Sequence, residues 1–364
     1  MDGAGRPDGN GGDGTMTDVD APMARLSARG LTRHFTTRVP GRLFAAKRVT
    51  RAVEDVSLDL VAGRVTAVVG ESGSGKSVLA RMLARIVTPT SGELYLEGSA
   101  IALAGRRTLN YAAQVQLVLQ DPFASMNPVH PVRHSLERPL LIHGARKSEV
   151  DELARSALAR VALDPPDRFL DRYPHELSGG QLQRVSIARA LCVQPSVLLA
   201  DEPISMLDVS VRLGILNLLK GLADHERLAI LYITHDIASA RYLADETIVM
   251  YAGQVVERSR GTALIDRPAH PYTQLLIASV PDPSSGPGVG PSANTSRSFV
   301  RAEVGCAFAP RCPHATARCR VESPPAFVIG DGHLSRCWLH ADQAGVSVDL
   351  ATPDRQREGE ATKT

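Results

Sequence analysis

The stretch that decides the fold of this chain is Gly70-Glu71-Ser72-Gly73-Ser74-Gly75-Lys76-Ser77. It matches G-x-x-x-x-G-K-[ST], the pattern of a loop that wraps the phosphates of a nucleoside triphosphate. Glycines let the backbone turn tightly, while the lysine reaches the β- and γ-phosphates and the serine hydroxyl ligates Mg²⁺. The pattern therefore predicts that all eight residues bind nucleotide, that Lys76 is also catalytic, and that Ser77 is also a Mg²⁺ ligand.

The sequence on both sides of this loop has the elements that the loop requires. The apolar, β-branched run Val65–Val69 precedes it and predicts a buried strand. Residues 78–86 follow it, and they place four apolar residues on one helical face: Leu79, Met82, Leu83 and Ile86. A glycine-rich turn that arose by chance would lack this arrangement, in which the helix N-terminus adds positive potential for phosphate.

Composition and charge narrow the possible classes of function. The chain has 364 residues, of which 43% are hydrophobic, and a net charge of +2. The length predicts two domains, or one large domain with an appendage, and the balanced charge argues against nucleic acid as a partner. No apolar run reaches the length of a membrane-spanning helix. Residues 1–23, which lack the apolar core of a signal peptide, and residues 343–364 are expected to be disordered tails of a cytosolic protein with reduced thiols.

Polar residues follow three apolar runs at the points where these predicted strands end. They are Gln120 after residues 115–119, Asp201 and Glu202 after residues 197–200, and His235 after residues 229–233. At the carboxyl edge of a sheet, Asp201 suits Mg²⁺, Glu202 suits orientation of an attacking water, and His235 suits contact with a γ-phosphate. Taken alone, Gln120 is also typical of a loop, an acidic pair is often solvated charge, and a single histidine is often structural.

Two further features complete the candidate nucleotide site. Leu177-Ser178-Gly179-Gly180-Gln181 opens a predicted helix and presents a hydroxyl and free N–H groups, which favours a second phosphate site. One nucleotide does not need two phosphate cradles in one chain, so this pattern indicates a dimer with shared ligands. Phe35 follows the first predicted strand of residues 24–60 and could stack on an adenine ring, although an aromatic residue there is also typical of a core.

The order of these motifs resembles that of an ABC-transporter ATPase. The phosphate loop, Gln120, residues 177–181, the acidic strand end, residues 205–208 and His235 occur in the family's order over about 165 residues. The resemblance implies an α/β fold, with a P-loop ABC nucleotide-binding domain over residues 24–265. That domain would hold a mostly parallel core sheet, a small antiparallel sheet, and a helical subdomain inserted at about residues 122–176. Within that subdomain, Ser148 and Asp151 resemble a capping box at the start of a helix. The apolar face of this predicted helix consists of Val150, Leu153, Ala154, Ala157, Leu158 and Val161.

The resemblance also implies a composite site for ATP and Mg²⁺ between two subunits. One subunit would supply Phe35, the phosphate loop, Gln120, Asp201, Glu202 and His235. The facing subunit would supply Ser178, Gly179, Gly180 and Gln181, and Asp208 is the further ATP-binding residue. The implied Mg²⁺ ligands are Ser77, Gln120 and Asp201. Ile204 and Met206 replace the Thr and Ala common in the family, which predicts altered dimer packing rather than inactivity.

The sequence beyond the core narrows the resemblance further. Residues 267–276, Arg-Pro-Ala-His-Pro-Tyr-Thr-Gln-Leu-Leu, resemble the His-Pro-Tyr segment of oligopeptide- and dipeptide-type importers, assigned here to residues 266–280. This implies a peripheral ATPase on the cytoplasmic face of the cell membrane that energises uptake of peptides or similar solutes. The implied partners are two transmembrane permease subunits, a second ATPase subunit of the same or another chain, and an extracellular solute-binding protein.

A soluble ABC ATPase without a transport role is the alternative. DNA-repair types carry long coiled coils between the two halves of the site, whereas only 57 residues separate Gln120 from Ser178. Translation factors of this family carry two cassettes in one chain, and this chain has one. Neither type explains the His-Pro-Tyr segment, and a small-molecule P-loop kinase does not explain residues 177–181.

Four of the five cysteines lie in a C-terminal module at residues 299–342, after a Pro/Gly/Ser-rich linker at residues 281–298. They are Cys306, Cys312, Cys319 and Cys337, and their spacing is not the C-x₂-C of a zinc ribbon. Similar modules in the peptide-importer family imply an iron–sulfur cluster, for which four cysteines suit [4Fe–4S]. Zinc and unligated thiols remain open. Arg311, Arg318 and Arg336 each adjoin one of these cysteines and are expected to offset thiolate charge, although arginine beside cysteine is also typical of a surface. The linker predicts a structural or docking role for a module that hangs from the ATPase domain.

Overall fold

The computed structural model describes residues 24–38, 47–105, 107–279, 301–342 and 347–348. The predicted N-terminal tail at residues 1–23 and the predicted linker at residues 281–298 lie outside the described residues. Most of the predicted C-terminal tail does so too, but residues 347–348 form a short strand. Among the described residues, no helix combines the length and the apolar character needed to cross a bilayer.

The described chain alternates strands and helices. The strands are β1 Ala24–Arg38, β2 Lys47–Val61, β3 Val65–Val69, β4 Ser91–Leu96, β5 Ser99–Ala100, β6 Val115–Val118, β7 Val197–Asp201, β8 Ala229–Thr234, β9 Glu246–Tyr251, β10 Gln254–Arg260, β11 Ala326–Gly330, β12 His333–Ser335 and β13 Ser347–Val348. The helices are α1 Lys76–Leu83, α2 Leu109–Gln114, α3 Val132–Ile142, α4 Val150–Arg160, α5 Asp167–Leu170, α6 Gly179–Leu191, α7 Val209–Glu226, α8 Ile237–Leu243, α9 Ala263–Asp266, α10 Pro271–Ala278 and α11 Ala317–Val321.

The main sheet has the order β13-β11-β12-β10-β9-β3-β8-β7-β6. Its centre is parallel, because β3 pairs with β8 and β9 in the same direction, and β7 pairs likewise with β8 and β6. The central strands are buried throughout and read as continuous apolar runs, as expected for a sheet covered on both faces. Their carboxyl ends lie at one edge, with Val69 opposite Thr234 and Asp201 opposite Ile233.

A second sheet is antiparallel, with the order β2-β1-β4-β5. The prediction of a small antiparallel sheet in the first part of the chain is confirmed. Its inner face and helix α1 share one apolar core, which includes Leu26, Leu58, Leu79 and Met82. Ile86 was expected on the same buried face, but this prediction is wrong: α1 ends at Leu83, and the side chain of Ile86 is 58% exposed.

The inserted helices α3, α4 and α5 lie between β6 and α6, as the helical pattern predicted. The predicted apolar face of α4 is buried at Val150, Ala154, Ala157, Leu158 and Val161. These residues join the main core through contacts of α6 with α3 and α4. The expected capping pair of Ser148 and Asp151 is not formed, because the helix begins after Glu149 and has no side-chain cap.

The C-terminal cysteine region is built into the main sheet. Strand β12 pairs with β10, placing Ser335 opposite Glu257, and β11 extends the sheet from β12. Phe308 is buried in the main core. Arg301 forms an ion pair with Glu54, and Arg336 donates to Asp55 at 3.3 Å, so both bind carboxylates of β2. The structure therefore differs from the expectation of a module that hangs from a linker, because strand pairing and apolar burial fix the region to the ATPase core.

Candidate nucleotide site

The phosphate loop lies between β3 and α1, and its fold depends on glycine at two points. Gly70 has no room for a Cβ atom, which would overlap the backbone oxygen of Met250. Gly75 has φ of 104° and lies just before α1, where a Cβ atom would overlap the carbonyl of Ala52. Positive φ and close backbone approach both favour glycine. The loop is therefore held by the neighbouring strands as well as by its own sequence.

Lys76 is folded into this loop. Its ammonium group donates to the carbonyls of Gly70 at 2.7 Å and Glu71 at 2.9 Å, and lies 3.4 Å from the hydroxyl of Ser74. The side chain is buried, and burial lowers the pKa of Lys76. A buried ammonium that is bound mainly by neutral carbonyls is poorly compensated, so an anionic phosphate in the loop would stabilise it.

Ser77 and Asp201 meet beside the loop. The Ser77 hydroxyl donates to a carboxylate oxygen of Asp201 at 2.9 Å, which joins the start of α1 to the end of β7. Asp201 is buried, and burial raises its pKa, partly offset by the hydrogen bond from Ser77. A buried carboxylate and a hydroxyl form the hard oxygen donor set that Mg²⁺ prefers, so these residues fit that ion.

Glu202, the next residue, connects two further predicted site residues. Its carboxylate accepts a hydrogen bond from the side-chain amide of Gln120 at 3.0 Å and lies 3.4 Å from Nδ1 of His235. Its backbone has φ of 47°, an uncommon value for a residue with a side chain, and its N–H donates to the carbonyl of Ile233 in β8. The ends of β6, β7 and β8 thus bring three polar residues together, with the side chains of Gln120 and His235 next to the Glu202 carboxylate.

The remaining predicted residues lie apart from this centre. Phe35 is half-buried on β1, and the guanidinium of Arg33 lies 4.6 Å from the centre of its ring. Ser178 caps α6, and Ser178 and Gln181 exchange side-chain and backbone hydrogen bonds at 3.0 and 3.3 Å. A Cβ atom at Gly180 would overlap Val211 of α7, so this glycine also permits helix packing. Within the described residues, no hydrogen bond joins this segment to the phosphate loop.

The segment after Glu202 leads to an exposed turn. Ile204 is buried, whereas Met206 is 60% exposed, and Asp208 lies just before α7 without a side-chain cap. Val209, the first residue of α7, is 79% exposed. The two residues that depart from the family pattern therefore have different surroundings, and of these two only Met206 presents an apolar side chain to solvent.

The four C-terminal cysteines line one cavity of about 190 Å³. Burial raises the pKa of Cys306 and Cys312, and raises that of Cys337 to about 11, so these thiols are neutral at physiological pH. Among the described residues, no group of three His, Cys, Asp or Glu side chains is placed to hold a metal ion. The cysteines thus converge on one cavity without forming a ready metal site among the described residues, so neither an iron–sulfur cluster nor zinc is shown.

The arginines beside these cysteines have other partners. We expected Arg311, Arg318 and Arg336 to offset thiolate charge, but each binds a carboxylate instead: Glu71, Glu322 and Asp55, respectively. Arg318 also lies 3.5 Å from the centre of the Trp338 ring. The pair of Arg311 with Glu71 connects the cysteine region directly to the phosphate loop.

Glu71 of the phosphate loop makes a second contact with the C-terminal region, which the sequence analysis did not predict. The backbone N–H of Glu71 donates to the phenolic oxygen of Tyr272 at 2.8 Å. Tyr272 belongs to the His-Pro-Tyr segment, but it lies 201 residues from Glu71, and nothing in the sequence indicated that the two residues touch. We call Glu71, Tyr272 and Arg311 the Glu71 cluster.

Two family models match the chain. One is ABC transporter, at residues 53–205, and the other is oligopeptide/dipeptide transporter, C-terminal region, at residues 256–319. A probable peptide ABC transporter ATP-binding protein, y4tS of Sinorhizobium fredii, is 41% identical over 336 residues, or 89% of this chain and 92% of its own. The di/tripeptide transport ATP-binding protein DppF of Pseudomonas aeruginosa is 42% identical over 330 residues, covering 87% and 98%.

Solved structures agree with the fold. The dimeric ATP-binding cassette MJ0796, in a post-hydrolysis state with ADP and Pi, is 27% identical and has a TM-score of 0.55; the match covers 65% of this chain and 98% of that one. The structure of cbiO1 from Clostridium perfringens, part of the transporter complex cbiONQ, has a TM-score of 0.58 at 24% identity, covering 67% and 92%. The transporter-type relatives and C-terminal match disfavour the alternative of a soluble ABC ATPase without a transport role.

Proposed function

Because the chain belongs to the ABC transporter family, among its oligopeptide/dipeptide-type ATP-binding subunits, we propose that it energises uptake of peptides or similar solutes. It is an ATPase that works with transmembrane permeases, and in this proposal it binds them at the cytoplasmic face of the membrane. One observation carries the proposal. The edge with Asp201 and Glu202 and the C-terminal importer-type region belong to the same sheet.

In the proposed hydrolysis, a water oxygen bonds to the γ-phosphorus while the bond from that phosphorus to the β,γ-bridging oxygen breaks. ADP leaves, inorganic phosphate forms, and negative charge spreads over the γ-phosphate oxygens in the transition state. Lys76, whose ammonium group is held in the loop by the carbonyls of Gly70 and Glu71, binds the phosphates there, where its charge is better compensated. Glu202 orients the water and accepts its proton, while Gln120 and His235 fix that carboxylate and contact the γ-phosphate. Ser77, Asp201 and Gln120 would hold Mg²⁺, which would supply charge stabilisation to the phosphates.

We propose that two ATPase subunits complete each site head to tail. Residues 178–181 and Asp208 then face the phosphate loop of the other subunit, and Phe35 stacks on the adenine of its own ATP. Two exposed apolar side chains, Met206 and Val209, flank Asp208 and are suited to burial in that interface. The second ATPase is either another copy of this chain or a related subunit.

We propose that the groove between Gln120 and the helical insert, near residues 123–141, forms the docking surface for the permeases. Phe123 is 53% exposed, Val129 is 69% exposed, and Ile142 is 51% exposed at the end of α3. A permease subunit that binds these exposed apolar side chains would lie close to Gln120. Its movement could then shift Gln120 and, through the hydrogen bond between them, the Glu202 carboxylate. Phe123→Ser should reduce transport while ATP hydrolysis continues, whereas Val49→Ser, at an exposed site on the antiparallel sheet, serves as the control.

Transport itself is tested by uptake assays on cells that lack this subunit. Cells complemented with the wild-type chain should accumulate labelled di- and tripeptides, and cells complemented with Glu202→Gln should not. Co-purification after gentle detergent extraction should recover two polytopic membrane proteins with the chain. Unchanged peptide uptake in the deletion strain, together with a chain that stays free of membrane proteins, would contradict the proposal. An extracellular solute-binding protein is expected to deliver the peptides.

We further propose that the cysteine cavity holds a [4Fe–4S] cluster with a structural role. The support is the convergence of four thiols on one cavity and the suitability of four cysteines as ligands. Anaerobic purification should then give a brown protein with about four irons per chain, and Cys312→Ser should lose them. A colourless anaerobic preparation free of both iron and zinc would leave the four thiols unligated and overturn this proposal.

A further inference from the structure

We propose that Tyr272 and Arg311 are positioning residues of the nucleotide site, which hold the phosphate loop through Glu71 in the shape that binds phosphate. The inference rests on the assignment of the loop as the ATP site. It gives the importer-type C-terminal region a direct part in nucleotide binding, beyond any role of its cysteines. Both the backbone and the side chain of Glu71 bind that region.

Tyr272 fixes the backbone of the loop. Its side chain is fully buried, and its phenolic oxygen accepts the N–H of Glu71 at 2.8 Å. This uses the one backbone donor that residue 71 has, so that donor is not free for a phosphate. The carbonyl of the same residue accepts from Lys76 at 2.9 Å. The N–H and the carbonyl of Glu71 are therefore both engaged, so the two peptide planes on either side of this residue have little freedom to rotate.

Arg311 fixes the side chain of the same residue. Its two terminal nitrogens donate to the two carboxylate oxygens of Glu71 at 2.7 and 2.9 Å, a bidentate geometry. The Arg311 side chain is only 8% exposed, and its guanidinium lies 5.7 and 5.8 Å from the ring centres of Tyr251 and Phe308. A partly desolvated, two-point contact of this kind specifies orientation more strongly than a surface ion pair does.

The His-Pro-Tyr segment holds Tyr272 in place, and each of its residues has a physical role. His270 caps α10, because its Nδ1 accepts the N–H of Tyr272 at 3.0 Å, and Pro271 occupies the first helical position. The buried carboxylate of Glu257 accepts the N–H groups of Ala269 and His270 at 2.8 and 2.9 Å. These hydrogen bonds attach the segment to β10, the strand that pairs with β12 of the C-terminal region.

A loosened loop should affect nucleotide binding before it affects chemistry. The carbonyls of Gly70 and Glu71 set the position of Lys76, which the phosphates require, whereas Glu202 lies at the end of β7 and does not touch the Glu71 cluster. Loss of Arg311 or Tyr272 should therefore raise the KM for ATP and leave kcat nearly unchanged. A merely structural role would instead reduce the amount of folded enzyme and lower kcat.

The test measures KM and kcat for ATP, and the dissociation constant of a fluorescent ADP analogue, with the full-length chain in its assembled transporter. Arg311→Gln should raise both KM and the dissociation constant about tenfold, because a charge-assisted bidentate contact is lost. Tyr272→Phe, which removes one oxygen, should raise them about threefold. Arg311→Lys, which keeps the charge without the fork, should fall between wild type and Arg311→Gln.

The matched control is Arg318→Gln, because Arg318 also precedes a cysteine but binds Glu322 within its own region. It should change KM less than twofold. The double variant Glu71→Gln/Arg311→Gln should bind nucleotide no more weakly than the weaker-binding of the two single variants. Both changes break the same contact, so their effects should not add. Where Arg311→Gln does not fold, Tyr272→Phe carries the test.

The proposal is overturned if Tyr272→Phe and any folded Arg311 variant keep the wild-type KM, or if the Glu71 and Arg311 effects simply add. The variant Lys76→Ala distinguishes failure of this inference from failure of the ATP-site assignment. If Lys76→Ala loses nucleotide but the Glu71 cluster variants do not, only this inference fails. If Lys76→Ala also binds nucleotide normally, the assignment of the ATP site fails as well.

Discussion

His270 should make the stability of the folded chain depend on pH. It is 1% exposed, and burial lowers its pKa from 6.5 to about 4, with a smaller contribution from nearby His340 and an opposing one from the Glu257 carboxylate. Between these two pKa values the unfolded chain binds a proton that the folded chain excludes. The free energy of unfolding should therefore fall as the pH drops from 6.5 towards 4.

The magnitude follows from the two pKa values. Lowering the pH from 7 to 5 should cost about 2 kcal/mol through His270 alone, and the full loss approaches about 3 kcal/mol near pH 4. The variant His270→Asn removes the titrating group but keeps a side chain that can cap α10. Its unfolding free energy should therefore fall less steeply with acidification than that of the wild type.

Urea unfolding at pH 7, 6 and 5, followed by circular dichroism, measures this difference. The comparison is made between wild type and His270→Asn at each pH, so that all other titrating groups cancel. The gap between the two proteins should change by about 2 kcal/mol in favour of the variant from pH 7 to pH 5. Parallel pH profiles would refute the reasoning, because they would mean that His270 is not buried in its neutral form.

Two further predictions concern the nucleotide site. Gly75→Ala should lower the unfolding free energy by about 1–3 kcal/mol more than Gly73→Ala, because both residues have positive φ but only Gly75 faces a backbone carbonyl; equal losses in chemical denaturation would contradict this. Asp201→Asn should raise the Mg²⁺ concentration for half-maximal ATP hydrolysis at least about tenfold by removing a charged ligand, and an unchanged Mg²⁺ titration would show that Asp201 is not a ligand.

Much of the polar edge of the main sheet could be predicted from sequence because it depends on strand order alone. Apolar runs of four or five residues mark buried parallel strands, and polar residues after them must meet at one edge. Glu202, Gln120 and His235 meet there as expected. The short helix α2 was missed, because six residues are too few for an apolar period to stand out.

The contacts of the C-terminal region could not be predicted in the same way. Arg311 lies 240 residues from Glu71, and neither hydrophobic period nor motif spacing encodes such a pairing. Its neighbour Cys312 suggested a role in thiolate charge, which the structure does not show. The boundary of α1 was also missed, since Arg85 adopts φ of 54° and turns Ile86 outward. The local sequence pattern predicts which face of a helix or strand is buried. Long-range contacts and the exact ends of helices depend on the tertiary structure, so the pattern does not predict them.

The measurement that tests the central claim most directly is ATP turnover by Glu202→Gln in the presence of the partner ATPase. A glutamine can still accept the hydrogen bond from Gln120, so the site should keep its geometry while losing the base. We predict that turnover falls about 10²–10⁴-fold, that ATP still binds, and that a closed ATP-bound dimer accumulates. A near-normal rate of hydrolysis in this variant would contradict the account, because the edge formed by β6, β7 and β8 would then not be the hydrolytic site.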